Sequence, residues 1–263
     1  MIQLRGILGG LAALAAVAVF PAVSPPALAE NAAAFKPEQK AAIEQIVKDY
    51  IFAHPEIVKE ALLELDKREK EAENAAVKTA LKAESKALYD VNAGTVVGNP
   101  DGDVTLIEFF DYNCPYCRKA MTTLDALIKA DPKLRIVLRD LPIVHPPESI
   151  EVAKIAMAAK YQLSPEKFWE FHKKLFSASR LVAKPQALQV AKETGLDMAR
   201  LDKDAESDTV RAAFADSDRL SQILNLRGTP AFVLGDEVVF GAQEDDDMKA
   251  QIAAVRQCGR TVC

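Results

Sequence analysis

The chain has 263 residues, with 33 Lys and Arg against 38 Asp and Glu, which gives a formal net charge of -5. It carries no basic patch of the kind that binds nucleic acid, and four cysteines are too few for a fold built on disulfides. With 49% hydrophobic residues, one or two ordinary domains stabilised by burial are expected, which leaves the cysteines free for chemistry.

Residues 1–29 have the pattern of a secretory signal peptide. One cation, Arg5, precedes an apolar run from Ile7 to Phe20 that is too short to span a bilayer. The triplet Ala27-Leu28-Ala29 is typical of a cleavage site. We expect residues 1–29 to be removed on export and the mature protein to be periplasmic, where disulfides persist. A retained N-terminal anchor is the alternative.

Residues 30–93 have the composition of long helices, because glycine is absent from Pro37 to about Leu88 while Ala, Glu, Lys and Leu dominate. Two apolar faces, before and after His54-Pro55, need a partner, but beyond Leu65 the apolar face fades among charges. This predicts a helical stalk with an oligomerisation region; a stalk folded back on the next domain is the alternative. The two faces consist of Ile43, Ile46, Val47, Tyr50 and Ile51, and of Ile57, Val58, Leu62 and Leu65.

Residues 94–263 alternate between strand and helix patterns and predict an α/β domain. A βαβ unit opens the domain, a helical insertion follows at about 147–225, and a hairpin with a last helix closes it. The predicted elements are strands at Thr95–Val97, Val104–Phe110 and Leu134–Arg139, a helix at Pro115–Ala130, hairpin strands at Ala231–Leu234 and Val238–Phe240, and a helix at Asp246–Gln257.

The motif Cys114-Pro115-Tyr116-Cys117 lies where a predicted strand gives way to a helix. A C-x-x-C pair at such a junction is typical of a thiol redox site. With Cys114 at the N-cap and Pro115 at the first helical position, free backbone N–H groups and the positive helix end favour a thiolate. Cys117, one turn into the helix, is then placed to resolve a mixed disulfide formed by Cys114.

Two features elsewhere in the chain belong with this motif. Thr229-Pro230 precedes a predicted strand, a poor place for proline unless it lies in a tight turn with a cis bond, which would present backbone to a substrate strand. Glu108 lies in an otherwise apolar strand beneath the predicted active-site helix, where a carboxyl of raised pKa could exchange protons with Cys117. A surface position for Glu108 is the alternative.

The run Phe109-Phe110-Asp111-Tyr112-Asn113-Cys114-Pro115-Tyr116-Cys117, followed by Gly228-Thr229-Pro230, resembles the DsbA-like branch of the thioredoxin fold. The segments Phe35-Lys36-Pro37-Glu38-Gln39 and Ala53-His54-Pro55-Glu56 resemble the helical N-terminal region of the suppressor-of-copper-sensitivity C (ScsC) family. The resemblance covers nearly all of the mature chain. It implies a thioredoxin-fold catalytic domain with a DsbA-like helical insertion, preceded by an N-terminal α-helical stalk.

The resemblance also implies roles for individual residues. Cys114 is the nucleophile, Cys117 the resolving thiol, Pro230 a cis-proline and Glu108 a buried acid. Exported proteins with disulfides or thiols are the implied substrates, and a membrane protein is the implied redox partner. Some members of the family are trimers through their N-terminal helices and others are monomers, so the resemblance implies a homotrimer or a monomer. No cofactor is expected.

Two residues separate this chain from the strongly oxidising DsbA enzymes. Tyr116 stands where those enzymes have histidine, so one cation that would stabilise the Cys114 thiolate is absent. Thr229 precedes the proline, as in the isomerases of the fold. We therefore expect a disulfide isomerase or reductase, with a DsbA-like dithiol oxidase as one alternative and a periplasmic protein that binds copper(I) at Cys114 and Cys117 as the other.

Cys258 and Cys263 form a second cysteine pair, which the catalytic motif does not require. We expect a small structural disulfide in an oxidising compartment. Copper(I) binding or an auxiliary redox role are the alternatives. Joining this pair to the C-x-x-C in a zinc site would leave Pro115 and Thr229-Pro230 unexplained, so no metal is expected.

Overall fold

The computed structural model describes residues 35–178 and 181–263, so the predicted signal peptide at 1–29 lies outside the described residues. The chain divides into two compact units, Met1–Glu64 and Leu65–Cys263. None of the helices within the described ranges is long and apolar enough to cross a membrane.

The first unit contains helix α1, Pro37–Ala53, and the start of helix α2, Glu56–Ala83. Pro37 opens α1 at the first helical position, where a missing N–H costs nothing, and Pro55 separates the two helices. Every described residue of this unit is exposed. Its large exposed apolar side chains include Ile43, Ile46, Val47, Tyr50, Ile51, Phe52, Ile57, Val58, Leu62 and Leu63.

The second unit begins earlier than the sequence predicted, at Leu65 rather than at Gly94. The later part of α2 and the short helix α3, Ser85–Leu88, belong to it, because Leu81 and Leu88 are buried against the sheet residue Phe109. In the sequence, this part of α2 shows mainly alanines among charged residues. Its apolar positions Val77 and Leu81 lie four residues apart on one face of the helix and were not recognised as part of a core.

The second unit is built on a five-stranded sheet with strand order β1-β3-β2-β4-β5. Strands β2 and β3 are parallel and the other neighbours are antiparallel. The mixed sheet and its connecting helices form an α/β fold, as predicted. The strands are β1 Thr95–Gly98, β2 Val104–Phe110, β3 Leu134–Asp140, β4 Ala231–Leu234 and β5 Glu237–Phe240.

Helix α4, Pro115–Ala130, connects β2 to β3, and five helices fill the insertion between β3 and β4. Three of the five begin with a proline in the first turn, and one begins at the capping residue Asp197. The remaining helices are α5 Pro146–Ala159, α6 Pro165–Ala178, α7 Lys184–Glu193, α8 Met198–Ala205, α9 Asp208–Ile223 and α10 Asp245–Cys258.

The two faces of the sheet belong to different hydrophobic clusters. On one face, Leu106 and Phe110 of β2 lie in the cluster that contains Cys117 and Leu124 of α4. On the other, Ile107 lies in a second cluster with residues of α2, α3 and α9. Because side chains alternate along a strand, the identity of each β2 and β3 position decides whether it faces the active-site helix.

Candidate active site

Cys114 is the N-cap residue of α4, directly after the loop that follows β2. Its extended backbone, with φ -80° and ψ 119°, turns the chain into the helix, and Pro115 occupies the first turn. The backbone N–H of Cys114 donates to the carbonyl oxygen of Asp111 at 3.0 Å, which closes a turn before the helix. The structure therefore places Cys114 at the helix end, as the motif predicted.

The two thiols are free and have opposite electrostatic environments. The pKa of Cys114 is lowered to about 6, because the Cys117 thiol is hydrogen-bonded to it and the backbone N–H groups of Cys117 and Tyr116 face its sulfur. The pKa of Cys117 is raised far above its ordinary value by burial, by the same hydrogen bond and by the charge of Glu108. At neutral pH, Cys114 is the thiolate and Cys117 keeps its proton.

Glu108 is 1% exposed on the α4 face of the sheet, so the surface alternative for this residue is wrong. It lies between Leu138 of β3 and Phe232 of β4 in the strand register. Burial, together with the charges of Cys114 and Asp140, raises its pKa to about 8. A carboxyl with this pKa can take up and release a proton at neutral pH.

The Thr229–Pro230 peptide bond is cis, in the turn before β4. The Cys114 thiol donates to the carbonyl oxygen of Thr229 at 3.1 Å, so this turn forms one wall of the site. An open cleft of about 390 Å³ is lined in part by this turn. Tyr116, between the two cysteines in sequence, is 65% exposed. The structure thus brings together Cys114, Cys117, Glu108, Thr229 and Pro230, the residues that the sequence assigned to one site.

The loop before Cys114 is held by a buried network that the sequence analysis missed. Asp111 accepts hydrogen bonds from the backbone of Asn113 at 2.7 Å and of Val144 at 2.8 Å, and from the Ser149 hydroxyl at 2.8 Å. Asn113 in turn bonds both backbone groups of Val182. The Asp-x-Asn spacing is a signal from which a local turn could have been predicted. Nothing in the neighbouring sequence indicates the partners Val144, Ser149 and Val182.

A second buried polar pair supports the same loop. The hydroxyl of Tyr112 lies 2.7 Å from Nδ1 of His172, inside a cluster of aromatic rings that includes Phe110, Phe168 and Phe176. Burial lowers the pKa of His172 to about 3, so its ring is neutral.

Cys258 and Cys263 are joined by a disulfide at the end of α10, next to Gly259, whose φ is 76°. They do not join the site at Cys114. No group of three or more His, Cys, Asp or Glu side chains within the described part of the chain is arranged to hold a metal ion.

Comparison with known proteins gives the class that this fold and site indicate. Residues 105–253 match the family described as the DSBA-like thioredoxin domain, and residues 39–72 match the copper resistance protein ScsC N-terminal domain. The chain belongs to the DsbA-like thioredoxin family and is a thiol-disulfide oxidoreductase of the DsbA and ScsC type.

Individual relatives agree with this class. A thioredoxin-like oxidoreductase from Silicibacter pomeroyi is 40% identical, with a TM-score of 0.61 over 65% of this chain and 97% of that chain. A linker-deletion mutant of Proteus mirabilis ScsC is 25% identical, with a TM-score of 0.64 over 86% of this chain and 98% of that chain. The disulfide bond formation protein D of Bacillus subtilis is 26% identical over 60% of this chain and 74% of its own length. Other curated relatives are longer: the match spans 22% of the Na(+)/H(+) antiporter NhaA 1 of Mycobacterium sp..

Proposed function

We propose that the protein is a periplasmic disulfide isomerase or reductase that acts on exported proteins through Cys114. The observation that carries this proposal is the sulfur of Cys114, which lies at a helix N-terminus with its pKa lowered to about 6 and faces the carbonyl of Thr229. A substrate strand at the Thr229-Pro230 turn would bring its disulfide to this sulfur.

In the proposed reaction, the Cys114 thiolate attacks a substrate disulfide. A bond forms between Cys114 and one substrate sulfur, and the other substrate sulfur leaves as a thiolate. In isomerisation, that thiolate or another one attacks the mixed disulfide and releases Cys114. In reduction, Cys117 gives its proton to Glu108 and attacks the Cys114 sulfur, which forms the Cys114–Cys117 disulfide and frees the second substrate thiolate.

The direction of net electron flow is inferred from the groups beside Cys114. Tyr116, exposed next to the thiols, brings no charge that would stabilise the Cys114 thiolate further. A thiolate of intermediate stability leaves and attacks with comparable ease, which suits reversible exchange. We therefore infer isomerisation or reduction rather than net oxidation.

The test uses the mature protein and two single variants, Cys117→Ala and Cys114→Ala. We expect Cys117→Ala to keep reactivating scrambled ribonuclease, because the mixed disulfide then rearranges without resolution, and to lose insulin reduction. Cys114→Ala should lose both activities. If Cys117→Ala released no rearranged product while the oxidised wild-type protein formed disulfides efficiently, the protein would be an oxidase.

Copper(I) binding is a second candidate, favoured by the match of residues 39–72 to a copper resistance protein domain. Two soft thiolates at Cys114 and Cys117 would be the ligands. Competition with a copper(I) chelator measures this directly in the reduced protein. Tight binding, combined with no insulin reduction and no ribonuclease reactivation, would replace the enzymatic proposal.

We also propose that the exposed helices of the first unit join copies of the chain. The proposal is supported by the apolar side chains of α1 and early α2, which include Ile46 at 67% exposed and Phe52 at 76% exposed. The proposed organisation is a cleaved segment 1–29, a helical region within 30–93 and a catalytic domain up to Cys263. Several catalytic domains would then act within one particle, and we propose that this particle is a trimer.

A further inference from the structure

Asp140 is a second buried carboxyl beneath the active-site helix, and the reaction described above does not use it. It is the last residue of β3 and is 5% exposed. In the parallel register it lies beside Phe110, while Glu108 lies beside Leu138. Since side chains alternate along each strand, Asp140 and Glu108 project from the same face of the sheet as diagonal neighbours.

A third polar side chain lies on the same face. Thr95 of β1 pairs with Leu138, so its hydroxyl also faces the α4 side of the sheet. Both carboxyl oxygens of Glu108, Oδ1 of Asp140 and Oγ1 of Thr95 are buried and have no hydrogen-bond partner among the described residues. Buried polar oxygens without partners are unfavourable, so a local cluster of them on adjacent strands indicates a site where protons are exchanged.

Charged groups of both signs act on Asp140. Lys160, at the end of α5, attracts Asp140 and donates to the carbonyl oxygens of Asn92 at 2.7 Å and of Gly94 at 3.0 Å. Asp111 repels Asp140 from the loop after β2, and Tyr112 lies within the field of both buried carboxyls.

On β3, Asp140 follows Arg139, whose side chain lies on the opposite face of the sheet. Arg139 donates to Asp216 at 2.6 Å and to the carbonyl oxygen of Ala87. Burial raises the pKa of Asp140 to about 8, while the charges of Lys160 and Arg139 oppose the rise. Burial also lowers the pKa of the half-buried Lys160 to about 8. Asp140 therefore holds a proton at neutral pH and interacts electrostatically with both Glu108 and Lys160.

We propose that Asp140 is the second acid of a proton relay that connects Glu108 with solvent at the Lys160 side of the sheet. Asp140 touches neither sulfur. It acts through Glu108, by exchanging a proton with it, and is therefore a positioning residue rather than a catalytic one. The proposal rests on the role proposed above for Cys117 as the resolving thiol.

The relay completes the proton balance of the resolving step. Cys117 gives its proton to the Glu108 carboxylate, and its thiolate attacks the Cys114 sulfur of the mixed disulfide. The Cys114–Cys117 bond forms as the bond from Cys114 to the substrate sulfur breaks, and the electron pair leaves with the substrate thiolate. Asp140 then releases its own proton to solvent and accepts the proton from Glu108. Reduction of the Cys114–Cys117 disulfide uses the same path inward.

The test separates the two sulfur steps in the full mature protein by stopped flow with one equivalent of 5,5′-dithiobis(2-nitrobenzoate). Attack by Cys114 releases the first thionitrobenzoate, and resolution by Cys117 releases the second. In Asp140→Asn we expect the second phase to slow about tenfold or more near neutral pH, while the first changes less than about twofold. The pH midpoint of the second phase should fall, because a neighbouring carboxylate no longer raises the pKa of Glu108.

Two further variants separate a relay from a structural role. Asp140→Glu should restore the second phase. Asp216→Asn, which makes the same chemical change on the opposite face of β3, should leave both phases as in wild type. A second phase in Asp140→Asn equal to wild type from about pH 5 to pH 9 would overturn the relay.

Two more results keep the relay distinguishable from misfolding and from failure of the proposed function. If Asp140→Asn does not fold, Lys160→Gln serves instead: without the amine Asp140 keeps its proton to higher pH, so the midpoint of the second phase should rise, and an unchanged midpoint overturns the relay. A first phase that persists in Cys114→Ala would contradict the proposed function itself.

Discussion

The sulfur of Cys114 lies 3.1 Å from the carbonyl oxygen of Thr229, a residue 115 positions later in the chain. The contact links the start of α4 to the turn before β4, so the nucleophile and the backbone that would hold a substrate are parts of one surface. A change at either residue is therefore expected to alter the rate of thiol–disulfide exchange.

The reactivity of Cys114 should rise with pH through its lowered pKa. That pKa is about 6, chiefly because the Cys117 thiol is hydrogen-bonded to the Cys114 sulfur. We expect the alkylation rate of the reduced protein by iodoacetamide to reach half its maximum near this pH. In Cys117→Ala the hydrogen bond is lost, so the midpoint should move upward. An identical midpoint in the variant would show that the helix end alone stabilises the thiolate.

Glu108 should weaken the fold as pH rises. Its pKa is about 8 in the fold, whereas an unfolded glutamate titrates near about 4.3. Between these values the native state keeps a proton that the unfolded chain has lost, so the free energy of unfolding falls by up to about 1.4 kcal/mol per pH unit. Glu108→Gln should remove its own share of this slope and leave that of Asp140, whose pKa is also about 8. Urea denaturation of the reduced protein at about pH 5 and pH 8 measures the difference.

Asp125→Asn is the control for this slope, because the environment of Asp125 has the opposite sign. Although burial opposes it, hydrogen bonds from Lys129, Lys173 and Trp169 lower the pKa of Asp125 to about 2. Its stabilisation is present above the unfolded pKa and is lost only as pH falls toward 2. Asp125→Asn should therefore lower stability by a similar amount at both pH values. A wild-type slope that survives in Glu108→Gln would contradict the assignment to Glu108.

Asp111 should be worth more to stability than an ordinary loop carboxylate. It accepts three hydrogen bonds, from Asn113, Val144 and Ser149, that join the loop before Cys114 to the helical insertion. Asp111→Ala leaves these donors unpaired, so we expect the free energy of unfolding to fall by about 2–4 kcal/mol. Urea denaturation measures the loss. Asp101→Ala, at an exposed turn, should change it by less than about 0.5 kcal/mol, and equal losses would sink the prediction.

Ile46 tests the proposed self-association. It is 67% exposed on α1, among several other exposed apolar side chains. In Ile46→Glu a charge would be buried in the contact between copies, so the mature variant should sediment as a smaller species than wild type. Lys48→Glu, an exposed charge change on the same helix, is the matched control and should leave the sedimentation coefficient unchanged. Monomeric behaviour of all three proteins would remove the oligomer proposal.

The parts of the site that depend on local sequence could be predicted. The motif around Cys114 fixes a strand, a cap and a helix through neighbours only, and Thr229-Pro230 signals its turn through proline chemistry. Asp140 could not be found this way, because its nearness to Glu108 exists only through the register between β2 and β3. The start of the second unit could not be predicted for a similar reason. In the sequence, Leu81 is one apolar residue among charges, and its burial depends on the sheet face that covers it.

Arg139 and Asp140 are consecutive in β3, yet one contacts Asp216 on one face of the sheet and the other lies beneath α4 on the opposite face. A shift of the β3 register by one residue would exchange their faces. The Arg139 guanidinium would then lie beneath α4, and Asp140 would no longer lie on the same face as Glu108. An insertion or deletion inside β3 should therefore be less tolerable than one in any loop of the domain, because it would place a positive charge beneath the cysteines where a neutral acid now lies.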